Sequence, residues 1–79
     1  MVTSALVLTL TPHPVERLRA LARLAADPRL ELGEPVKDRL PVVAEAASAA
    51  DGAALCDALG AHEGVLRVDV VAIDFGEDA

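Results

Sequence analysis

The sequence predicts an α+β domain with the element order βαββαβ. Three observations carry that expectation: apolar residues alternate with a period of two in four segments, they recur with helical spacing in two others, and Pro, Gly or Ser punctuates most junctions.

From Ser4 to Thr11, Leu6, Leu8 and Leu10 alternate with Ala5, Val7 and Thr9, the pattern of a half-buried strand. Thr11-Pro12-His13-Pro14 then opens a helix, because a proline in the first helical turn gives up an N–H that would be unpaired anyway. Over Val15 to Ala26 the expected inner stripe is Val15, Leu18, Leu21 and Leu24, with Ala22 and Ala25 beside it and Glu16, Arg17, Arg19 and Arg23 outside. Asp27-Pro28 ends that helix, since the residue before a proline is pushed out of the helical region. Arg29 to Glu34 reads as a short second strand, with Leu30 and Leu32 opposite Glu31, closed by Gly33 and Pro35. A turn over Pro35 to Asp38 leads to a third strand, Leu40 to Ala46. One of its faces is Leu40, Val42, Ala44 and Ala46; the other is Pro41, Val43 and Glu45. Pro41 cannot donate to a ladder and is therefore placed at the strand's start. Ser48 and Asp51 have the spacing of a capping box. The helix they open carries the stripe Leu55, Ala58, Leu59 and His62, and Glu63-Gly64 leads out to a last strand, Val65 to Ile73, with Leu66, Val68, Val70 and Ala72 on one face. Residues 76–79 read as a loose acidic tail.

The order βαββαβ is that of the ferredoxin-like fold, a four-stranded antiparallel sheet built from two split βαβ units. The whole chain, 1–79, is read as one such domain. Right-handed crossovers put both helices on one face of the sheet. Strands one and three are expected to be adjacent and parallel, with two and four at the edges. The open face is expected to show Val7, Thr9, Glu31, Val43, Glu45, Arg67, Asp69, Val71 and Ile73, an apolar strip flanked by carboxylates and suited to docking.

Composition narrows the function. Forty-two of 79 residues are apolar, but 16 of these are Ala, so the core is thin and a deep enzyme pocket is excluded. The longest strongly apolar stretch, Ala5 to Leu10, is far shorter than the roughly 20 residues of a membrane span, and no signal-peptide pattern is visible, so a soluble, cytoplasmic chain is expected. Thirteen acids against seven bases give a net charge of −6, which repels a phosphate backbone, and there is no Trp or Tyr to stack on bases; nucleic acid is not an expected partner. Residues 40–79 hold eight acids and one base, so a basic partner would favour the second half.

Catalytic and metal readings lack their groups. The chain has no Asn or Gln, so the orienting amide of an acylphosphatase is missing, as is a Gly-rich anion loop. Heavy-metal domains of this fold carry Cys-x-x-Cys after the first strand, where this chain has Thr11-Pro12-His13-Pro14. His13 and His62 stand alone, His13 at a helix start and His62 at a helix end, and no metal or other cofactor is expected. Cys56, the one cysteine, reads as a small apolar residue beside Leu55. No enzyme activity is expected.

The opening Ser4-Ala5-Leu6-Val7-Leu8-Thr9-Leu10, the third strand Val42-Val43-Ala44-Glu45-Ala46 and the segment Glu63-Gly64-Val65-Leu66-Arg67-Val68 resemble the NapD-type chaperones of periplasmic nitrate reductase over nearly the whole chain. The resemblance implies a cytoplasmic assembly chaperone that binds the twin-arginine signal peptide of the molybdenum-containing catalytic subunit and delays its export until cofactor insertion. By analogy it also implies a peptide-binding role for Val7, Val43, Glu45, Asp69 and Val71; charge placement on the open face adds the expectation that Glu45 and Asp69 each accept from a peptide arginine. The alternative is a non-catalytic regulatory or assembly module that dimerises edge to edge as a homodimer and binds a small ligand.

Overall fold

The computed structural model describes residues 1–76. The elements are β1 (Val2–Leu10), α1 (Pro14–Ala25), β2 (Leu30–Leu32), β3 (Arg39–Ala46), α2 (Ala49–Gly60) and β4 (Val65–Asp74). Four strands form one antiparallel sheet in the order β2-β3-β1-β4, the ferredoxin-like arrangement. β1 and β3 are neighbours, as expected, but antiparallel rather than parallel. A crossover helix makes β1 and β2 run the same way, and β3, which folds back on β2 as a hairpin and inserts between them, must oppose both. Of the tail expected at 76–79, Gly76 donates its N–H to Asp74 Oδ1 at 2.9 Å, and the remainder lies outside the described residues.

The core is the helix-facing side of β1 and its neighbours. Leu6, Leu8, Leu10, Leu40 and Val42 pack there with Leu24 of α1 and with Leu55 and Leu59 of α2. Each such leucine contributes about 1.5–3 kcal/mol by leaving water. Ser48 caps α2, its Oγ accepting from the Asp51 N–H at 3.1 Å, as the capping box predicts. Gly52, Leu55 and Leu59 form the buried line of α2, while Ala58 is exposed, contrary to the expected stripe.

α1 is rotated from its expected phase. Ala20 and Leu24 are buried and Leu21 half-buried, whereas Val15, Leu18, Ala22 and Ala25 face solvent. The reason lies in the turn before β4. Gly64 sits at φ +87, and a Cβ there would come within 2.8 Å of the Ala20 Cβ and 3.2 Å of the Glu16 carbonyl oxygen. Its own carbonyl accepts from Thr11 N–H at 2.8 Å. Only a small residue lets α1 approach that backbone, so Ala20 turns inward, and Leu18, about 200° away around the helix, turns out.

The β2–β3 hairpin explains Pro41, which is the third residue of β3 rather than its start. In an antiparallel strand the N–H and C=O of one residue point to the same side. The Pro41 carbonyl accepts from Gly33 N–H at 2.8 Å, so the missing donor also faces the β2 side, past the end of that three-residue strand, and the ladder to β1 is untouched. The hairpin tip carries Lys37 at φ 55. Arg17 of α1 holds this tip, donating to Asp38 Oδ1 at 2.8 Å and to the Lys37 carbonyl.

β4 departs most from a simple alternation. Its ladder with β1 shifts register twice: Leu10 pairs with Val65 but Thr9 with Arg67, and Leu6 pairs with Val70 but Ala5 with Ala72. Leu66 and Val71 are the extra residues of two bulges. Each bulge reverses the face assignment beyond it. Val65, Val68, Val70 and Ile73 therefore share the helix side with Leu10, Leu8, Leu6 and Ser4, while Arg67, Asp69, Ala72 and Asp74 lie on the open side. This corrects three expectations: Leu66 is exposed, Ala72 belongs to the open face, and Ile73 belongs to the helix face.

Two glycines should respond oppositely to alanine. Gly64→Ala combines a left-handed backbone with a clash and should destabilise the domain by about 1–3 kcal/mol. Gly60→Ala, at the end of α2 with its nearest neighbour at an ordinary 3.9 Å, should stabilise it by about 0.5 kcal/mol. Urea unfolding of both variants checks the pair.

Candidate docking face

All five residues expected to bind peptide lie on the open face, but they form two groups. Val7, Val43 and Val71 line one shallow groove of ≈ 430 Å³ whose wall also includes Ala5, Pro41 and Glu31. Val71 reaches it through the second bulge, which turns the side chain toward Ala5 and Val7. Asp69 stands directly across β1 from this group, paired with Val7, which pairs in turn with Pro41. Glu45 is four residues along β3 from Pro41, opposite Thr3. Its Cα is therefore about 16 Å from that of Asp69, two strands over at about 4.8 Å each and four residues along at about 3.3 Å each.

The carboxylates also differ in how free they are. Asp69 Oδ1 accepts from Arg67 Nε at 3.0 Å, two residues away on the same face. Glu31 and Glu45 form no ion pair among the described residues and are both exposed. Because Glu31 pairs with Val43, it lies diagonal to Glu45 on the next strand, about 7 Å away. Arg29, which stands opposite Glu45, forms no ion pair with either of them. Its guanidinium is turned onto Asp27, at 2.7 and 3.0 Å, and its hydrogen bonds hold the Asp27 carboxyl below the usual carboxylate range. A second small hollow, lined by Arg29, Glu31, Val43 and Glu45 among others, joins these carboxylates to the apolar strip.

Ala5, Glu31 and Pro41 thus line the groove without being among the five expected positions. The Leu30-Glu31-Leu32 alternation does place Glu31 on the open face. Its nearness to Glu45 depends on the β2–β3 register, which the sequence leaves open.

The remaining chemical side chains have local roles. His13 is exposed at the start of α1, its N–H donating to Thr11 Oγ1 at 3.3 Å. His62 follows α2, with Nδ1 at 2.8 Å from the Glu63 carbonyl oxygen. Among the described residues no three His, Cys, Asp or Glu side chains converge as metal ligands would, and no helix is long and apolar enough to cross a membrane. Cys56 packs half-buried against the core, and burial, helped by the Asp57 carboxylate, pushes its thiol above the usual range. Since the thiolate is the reactive form, Cys56 should alkylate more slowly than glutathione at pH 7, and its rate should keep rising above pH 9. Iodoacetamide labelling followed by mass spectrometry measures this.

Comparison of the chain with protein-family models, with curated proteins and with solved structures finds no match in any of the three.

Proposed function

We propose that this chain is a non-catalytic, cytoplasmic peptide-binding chaperone whose open sheet face receives an apolar segment carrying paired arginines. Following the sequence resemblance, its target is the twin-arginine signal peptide of a molybdenum-containing nitrate reductase catalytic subunit, held back until cofactor insertion. One observation carries the reading: an apolar groove formed by Val7, Val43 and Val71 runs beside two unpaired carboxylates, Glu31 and Glu45. Two neighbouring arginines reach a carboxylate pair about 7 Å apart without extending both side chains fully. Glu31 and Glu45 therefore take the arginine pair in this reading. Asp69, already engaged by Arg67, has a smaller part. The leader's apolar stretch lies over the valines.

Charge-assisted hydrogen bonds contribute about 1.5–3 kcal/mol when shielded, and exposure lowers this to about 1 kcal/mol or less per pair. A synthetic twin-arginine leader should bind by calorimetry, and its affinity should fall as salt screens the exposed charges. Glu31→Lys with Glu45→Lys should weaken binding by about tenfold or more, since two attractions of this size become repulsions. Asp69→Lys should cost less, and Val43→Asp should weaken binding by placing a carboxylate in the strip. If the leader gives no heat while a free amino acid or nucleotide does, the regulatory-module reading replaces this one. If the leader binds but the double reversal leaves its affinity unchanged with the fold intact, the open face is not the docking surface.

A further inference from the structure

The two edges of the sheet are unlike. At one, β2 is three residues long and the hairpin beyond it contains Gly33 and Pro35, so little backbone is offered to another strand. At the other, β4 is ten residues long, contains no proline or lysine, and among the described residues has no strand beside its outer edge. Its side chains are unusually apolar for that position: Val70 is 51% exposed, Val71 67% and Ile73 49%, with Leu66 and Phe75 exposed at its two ends. An edge with these properties is a template for another strand.

We propose that β4 pairs antiparallel with β4 of a second copy, across a two-fold axis passing between Val70 and Val71, to form a continuous eight-stranded sheet. Charge and face together favour this occupant, and among axes that fall between consecutive residues they select this register. Opposed residues of an antiparallel pair share a face. Without a bulge, an axis falling between consecutive residues would set every open-face residue against a helix-face one. The bulge at Val71 removes that conflict on both sides of the axis. Arg67 then meets Asp74 of the other copy on the open face, Asp69 meets Ala72 there, and Val68 meets Ile73 on the helix face. At the centre the faces are not matched: Val70 lies on the helix side, and Val71 of each copy, the extra residue of the bulge, stays outside the ladder on the open side. Arg67 opposite Asp74 occurs twice by symmetry. Arg67 can serve both its own Asp69 and the other copy's Asp74, because a guanidinium has five N–H donors. Among the described residues Asp74 Oδ2 has no partner, as Gly76 N–H is bonded to Oδ1. Moving the axis one residue on, to between Val71 and Ala72, also matches faces but sets Asp69 against Asp74 twice. Like charges directly opposite destabilise.

The test uses sedimentation of the whole chain without any peptide, so it is independent of the docking-face proposal. The unmodified protein should reversibly dimerise. Arg67→Asp should raise the dimer dissociation constant about tenfold by opposing two carboxylates, and Asp74→Arg should do the same by opposing two guanidiniums. An equimolar mixture of the two variants should recover a dimer, because both cross-pairs are then of opposite charge. Circular dichroism confirms that each variant is folded. A monomeric unmodified chain at 100-fold the concentration of the assay's detection limit overturns the proposal. So does a mixture that stays monomeric, or an Asp74→Arg variant that associates more tightly by itself, which marks the shifted axis.

Discussion

β1 is the constraint on which the other elements depend. Like β3 it has neighbours on both sides, and its even-numbered residues supply the floor of the core: Leu6, Leu8 and Leu10 are at most 2% exposed. Register slippage by one residue would carry all three to the open face. Their burial therefore fixes the ladders to β3 and β4 together, and through these ladders it decides which side chains of both neighbours face the helices. A domain with so many alanines has few other large residues to enforce the arrangement.

The second organising feature is the close approach of α1 to the turn before β4. Gly64 and Ala20 are both small, and the absence of bulk lets backbone and helix meet. That contact sets the rotation of α1, and Arg17, on the same helix, holds the β2–β3 tip through Asp38 and the Lys37 carbonyl. Two loops distant in sequence are thereby tied to one helix. The groove on the opposite side of the sheet inherits its shape from this, because Gly33 and Pro41 meet in the hairpin that Arg17 anchors.

The open face and the β4 edge are distinct surfaces on one sheet, and the bulge at Val71 serves both. It turns Val71 toward Val7 and Val43 in the groove, and it returns Ile73 to the helix side. In the proposed dimer the two open faces would adjoin in one continuous surface, with the groove of each copy on its own side of the axis.

Local patterns in the sequence were sufficient for the element order, both helix starts, the Ser48 cap and the α+β fold class. Each depends on contacts within a few residues or on a short alternation, and alternation is legible wherever a strand is regular. The five candidate positions also fell on the open face, because Val7, Val43, Glu45 and Asp69 lie in regular stretches of their strands. The tertiary structure decided what local patterns cannot. The antiparallel setting of β3 against β1 follows from chain connectivity in space. The inward turn of Ala20 in place of Leu18 follows from a glycine 44 residues away. The faces of Leu66, Ala72 and Ile73 follow from bulges that exist only in the ladder with β1, and the diagonal nearness of Glu31 to Glu45 from the register of a three-residue strand. A bulge leaves no periodicity of its own: it is set by which partner residue each backbone group can reach, and that is a property of two strands together.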